Sequence, residues 1–156
     1  MSGDDLRRPI VLDGLPEAPF RAAVGYLDDA LRECQLVLVA QSQGHRTDAD
    51  LGRVASGLVP DIEEIGDAFR AAEATSDGAG SLRLAGTLTV GQAATIADLQ
   101  VQLVHLRILG RRGDLLLDSD PEIAALLTWI WEETSDQLQG RAPARTVPPG
   151  RRLVAA

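Results

Sequence analysis

Residues 81–110, SLRLAGTLTVGQAATIADLQVQLVHLRILG, change periodicity part-way, and the fold class turns on how that change is read. In the first third, Leu82, Leu84, Leu88 and Val90 lie around Ala85-Gly86 with a hint of period two, which predicts a short β-hairpin near residues 81–90. From Thr89 onward the period is helical. Thr89 and Gln92 have the spacing of a capping box, in which hydroxyl and amide each satisfy a backbone donor, so a helix is expected from about Val90 to Leu109. Gly110 and Gly113 then end it. The helical part is the longer, and it sets the expectation for the chain.

Working outward, the other segments repeat the helical pattern. Phe20, Val24, Leu27, Leu31, Cys34 and Leu38 recur at steps of four and three, which puts them on one face of a helix from Pro19 to about Ala40. Leu36 and Val39 make its C-terminal end apolar nearly all round. Asp48 is the expected N-cap of a second helix, whose stripe Leu51, Ala55, Leu58, Ile62, Ile65, Phe69, Ala72 runs through Pro60. Pro60 projects away from that stripe, which predicts either a kink or a split into two collinear helices. Ser119-Asp120-Pro121-Glu122 opens a fourth helix with core face Ile123, Leu126, Leu127, Ile130 and Leu138, and Gly140 stops it. Residues 75–80 read as a loop.

These readings predict an all-α fold, an antiparallel bundle of four principal helices, with one helical domain over residues 1–140. Residues 1–16 are taken as an N-terminal extension and residues 141–156 as a flexible, disordered Arg/Pro tail. The composition agrees: 156 residues suffice for one core, and 45% hydrophobic with 3% aromatic means a core of Leu, Val, Ile and Ala, which suits helix packing.

Charge narrows the function classes. Before residue 141, 11 arginines against 23 acidic residues leave a net charge of −12, whereas the tail carries Arg141, Arg145, Arg151 and Arg152. An acidic body repels phosphate backbones and offers bases almost no stacking surface, so nucleic acid is not an expected partner. No stretch approaches the ~20 apolar residues of a membrane span, and Asp4 and Asp5 stand where a signal peptide would be basic. With a single cysteine, Cys34, a cytoplasmic location is expected. All 15 basic residues are Arg, a bias that suggests a GC-rich bacterial genome.

No group of residues promises chemistry. His45 lies in a polar loop, and His105 sits between apolar stripes with no Glu three residues before it, so the Glu-x-x-His pairs of a di-metal bundle are missing. His105-Leu-Arg107-Ile-Leu-Gly110 also lacks the spacing of a phosphorelay histidine. Adjacent carboxylates such as Asp28-Asp29 and Glu63-Glu64 diverge on a helix. Cys34 falls on the core stripe, where a thiol stays protonated. We expect no catalytic residues, no metal and no cofactor.

Two surfaces exceed the needs of a monomeric bundle. The third helix carries Ile96, Leu99, Leu103 and Leu106 on one side and Ala97, Val101, Val104 and Ile108 about 160° away. The second stripe is an expected homodimer interface, unless residues 114–118 with Leu115, Leu116 and Leu117 fold over it. On the fourth helix, Trp129 falls with Glu122, Glu132, Glu133 and Asp136 on the face opposite the core, an acidic field around an interaction anchor. The resulting expectation is a non-catalytic regulatory or adaptor protein in bacterial signalling, homodimeric, acting by helix-mediated contact with a protein partner. The alternative is a small-molecule sensor with an apolar cavity between helices.

Overall fold

The computed structural model describes residues 3–111 and 120–144. After a short 3-10 turn at Gly3–Asp5, the chain runs β1 (Arg7–Pro16), α1 (Glu17–Ser42), α2 (Ala49–Ala71), β2 (Glu73–Ser76), β3 (Ser81–Thr89), α3 (Gln92–Arg111) and α4 (Pro121–Leu138). The segment carrying Leu115–Leu117, the end signal Gly113, the start signal Ser119 and residues 145–156 of the tail lie outside the described residues.

The four helices form where their periodicity and caps place them. Asp48 Oδ1 accepts from the backbone N–H groups of Asp50 and Leu51 at the start of α2, and Asp120 accepts from Glu122 at the start of α4, with Pro121 in the first turn. Gln92 Oε1 accepts from the Thr89 N–H at 2.8 Å, the glutamine half of the expected capping box. Helix α2 is continuous through Pro60, whose exposed position spares the core; the split alternative does not occur. Contacts between Gln35 and Glu63 and between Glu64 and Gln92 set α1 against α2, and α2 against α3. The helices pack in the ring α1–α2–α3–α4, with α4 closing on α1.

The all-α expectation is overturned by a three-stranded antiparallel sheet of order β1-β3-β2, which makes the architecture α+β, with 17% of the described residues in strands. The predicted hairpin is misplaced rather than invented. Residues 81–89 are one continuous central strand pairing with β1 on one side and β2 on the other, and the turn joining β2 to β3 lies at residues 77–80. Gly86 therefore sits mid-strand, opposite Ile10. Its missing side chain serves packing: a Cβ there would stand 2.9 Å from the Ala72 Cβ at the end of α2.

Residues 1–16 are likewise more than an extension. In β1, Ile10 and Leu12 alternate into the core, a bulge at Asp13-Gly14 follows, and Leu15 is then fully buried; Gly14 has φ +70°. Together with Leu82, Leu84 and Leu88 these residues form the apolar face of the sheet, which joins the helical core as one cluster.

The outer edge of β1 would present free backbone groups, and α4 packs against that edge and satisfies those of Val11. Gln137 Oε1 accepts from the Val11 N–H at 2.8 Å while its Nε2 donates to the Val11 carbonyl at 2.7 Å, so one side-chain amide stands in for a neighbouring strand. Glu133 Oε1 accepts from Gln137 Nε2 and from the Ala144 N–H, each at 2.7 Å, which ties the residues after α4 to the same point.

Candidate functional site

On the other side of α4 the packing is incomplete. A partly enclosed cavity of about 280 Å³ lies between α1 and α2, with α4 behind it and the sheet at one end. Its location follows from residue sizes: Ala23, Gly66, Ala72 and Ala74 meet there, and small side chains at a helix–sheet seam leave volume that the neighbouring leucines do not fill. The walls are apolar and include both phenylalanines, Phe20 and Phe69, and Trp131. Phe69 meets Trp131 edge to face, with ring centroids 6.0 Å apart and planes at 77°. Leu99 is the contribution of α3.

Charge is confined to the rim. Asp28 and Arg70 are the titratable residues along the cavity, and both are exposed. Arg70 pairs with Asp67 one turn earlier, and this hydrogen bond holds its guanidinium above the ordinary arginine range. Opposite charges at the mouth and an apolar interior suit a neutral, apolar guest.

One buried polar group of a lining residue is unmatched. Trp131 is 4% exposed, and its Nε1–H has no hydrogen-bond partner among the described residues. Such a donor costs roughly 1–3 kcal/mol when shut away from water. Trp131 and Leu127 also border a second space of about 140 Å³ between α3 and α4, alongside Tyr26 and Arg107.

The residues singled out in the sequence do not converge on this cavity. On α4, Glu132 is exposed, Glu122 is half-buried, and Trp129 is half-buried and packed against the core. Glu133 is buried in the contact with Gln137, and Asp136 accepts from Arg141 at 2.7 Å. On α3, the second stripe is exposed: Ala97 with it, Val101 at 55%, Val104 at 51% and Ile108 at 44%. His45 and His105 are exposed and far apart in sequence, and among the described residues there is no cluster of three His, Cys, Asp or Glu side chains able to hold a metal. Cys34 is fully buried, and burial pushes its thiol up to about 11, which keeps it protonated at neutral pH. No described helix is long and apolar enough to cross a membrane.

The sequence reading offers an apolar cavity between helices only as an alternative and does not place it. Phe20 and Phe69 were legible as members of two core stripes, and Gly66 as a glycine inside a helix, but only the packing of the sheet against α1 and α2 brings them around one space. No protein-family model, curated protein or solved structure matches the chain.

Proposed function

We propose that this protein binds a small apolar molecule in the cavity between α1 and α2, and that it does so as a non-catalytic sensor. The observation that carries this reading is a volume of about 280 Å³ walled by apolar and aromatic side chains. An apolar cavity of about 150 Å³ already suffices for benzene, and pockets for drug-sized ligands begin near 300 Å³. The guest is therefore small. No acid, base and nucleophile meet in the cavity, which favours binding over turnover.

Calorimetric titration with α-methylstyrene, a compact planar hydrocarbon, tests the reading. Saturable binding with a negative heat-capacity change is expected, and Leu27→Trp, which fills the space from α1, should abolish it while the protein stays folded. Absence of binding to the wild-type protein would refute the proposal.

Self-association through α3 is a second reading, supported by the exposure of Val101, Val104 and Ile108 on one stripe. Light scattering should then find a dimer that Val104→Glu converts to a monomer; a monomeric wild type rules it out. An acidic docking face around Trp129 has less support, because Glu133 and Asp136 are engaged within the chain and Trp129 leans on the core.

A further inference from the structure

Charge sets α3 apart from the other helices. Helices α1, α2 and α4 carry two, two and no arginines against four, five and four acidic residues, whereas α3 carries Arg107 and Arg111 against Asp98 alone. Two copies of a chain whose residues before 141 sum to −12 repel each other wherever acidic faces meet, so α3 is the helix on which a second copy meets the least repulsion. Its outward face repeats in sevens. Ala94, Ala97, Val101, Val104 and Ile108 lie at alternating steps of three and four, all exposed, with no charged residue among them. Asp98 and His105 flank this stripe on one side, two turns apart, and Gln100 and Arg107 flank it on the other. Asp98 and His105 are exposed, and neither has an ion pair among the described residues.

We infer that α3 pairs antiparallel with α3 of a second copy, about a two-fold axis that crosses the helix between Gln102 and Leu103. The inference rests on the reading that the chain self-associates through α3, and adds the orientation and the groups that fix it. Side-chain size favours this match: Val101 faces the partner's Val104, and Ala97 faces the partner's Ile108, small against large, so the layers of the seam have similar volume. A parallel match would set alanine on alanine at one end and isoleucine on isoleucine at the other, leaving a gap at the first. Charge selects the same arrangement. Antiparallel pairing places the Asp98 carboxylate beside the partner's His105 imidazole, twice by symmetry, and Gln100 beside the partner's Arg107. Parallel pairing would leave Asp98 beside the partner's Ala93 and gather the arginines of both copies at one end.

Disulfide trapping reads the orientation directly, because two cysteines bridge only when their Cα atoms lie within about 7 Å. Tagged chains carrying Ala97→Cys are mixed with untagged chains carrying Ile108→Cys and oxidised, the native Cys34 being fully buried. The mixture should form the cross-link between positions 97 and 108 at least about tenfold more than Leu36→Cys, exposed on α1, cross-links to itself. Each α3 variant oxidised alone should stay at the Leu36→Cys level, since antiparallel pairing holds the two copies of either position roughly 16 Å apart along the axis. In sedimentation, Asp98→Arg should weaken dimerisation roughly tenfold, and adding His105→Glu should restore it to within about threefold of wild type. Self-cross-linking of Ala97→Cys and of Ile108→Cys, or a wild-type dimer whose affinity the double charge reversal does not restore, overturns the antiparallel inference while self-association through α3 stands. A wild type that stays monomeric in sedimentation, with no cross-link above the Leu36→Cys level, overturns the self-association reading as well.

Discussion

Gln137 and Trp131 lie on the same helix, fewer than two turns apart, and each is 4% exposed, yet their polar groups meet opposite fates. The amide of Gln137 is matched on both sides, to the two backbone groups of Val11 and to Glu133. The indole N–H of Trp131 is matched to nothing among the described residues. The side of α4 facing β1 is closed by hydrogen bonds, whereas the side facing α1 and α2 is open by about 280 Å³. A fold that satisfies both backbone groups of Val11 at an awkward strand edge does not need the other side unfilled for stability, and that contrast supports reading the cavity as functional.

Substitutions can break the comparison or sharpen it. The largest effect should come from Gln137→Leu, which strands the Val11 N–H and carbonyl and deprives Glu133 of a donor; chemical denaturation should show a loss of about 2–4 kcal/mol. Gly86→Ala comes next, because its Cβ would meet the Ala72 Cβ at 2.9 Å and the Ala72 backbone at 3.4 Å, and a loss of roughly 1–3 kcal/mol is expected. Trp131→Phe should cost only about 1 kcal/mol or less, since the lost apolar area is offset by removing an unmatched donor. A loss as large as that of Gln137→Leu would mean that the indole is integrated into the fold after all, and the comparison would collapse.

On the cavity side, Gly66→Ala should raise stability by about 0.5–1 kcal/mol, because a Cβ there meets nothing nearer than the Arg70 guanidinium at 3.5 Å and a helix interior favours alanine. The smallest effect is expected at Asp61 on α2. Partial burial, reinforced by Asp98 and Glu64, raises its carboxyl above the usual range, while the Gln102 amide pulls it down. A carboxyl whose folded-state value is raised subtracts stability above that value, and the penalty vanishes as pH falls through it. Asp61→Asn should accordingly melt slightly higher than wild type at pH 7, with the gap closing on acidification.

The helices were readable because their signals are local. Asp48, Asp120-Pro121 and Gly140 act within a turn of where they stand, and the leucine stripes need only the helix's own geometry. The sheet was hidden for three separate reasons. The bulge at Asp13-Gly14 throws Leu15 out of phase with Ile10 and Leu12, so β1 shows too short an alternation. β2, Glu-Ala-Thr-Ser, is exposed throughout and carries no apolar pattern. Gly86 looks like a turn residue but answers to Ala72, a neighbour that only the tertiary structure supplies.

The candidate site was less legible still. Sequence periodicity says which face of a helix is buried, and it puts Phe20, Leu27, Ile65 and Phe69 in the core on that ground. A cavity is a shortfall of volume where such faces meet, and no single stripe records it. The absence of a partner for Trp131 Nε1 among the described residues becomes visible only in the packed structure.

Crystals of the protein pressurised with xenon put the central claim to the most direct test, since xenon enters apolar cavities without needing a specific contact. Ordered xenon is predicted in the space bounded by Leu27, Ile65, Leu99 and Ile130, with none between Gln137 and β1. A cavity that takes up no xenon at pressures that fill comparable apolar cavities would contradict the account.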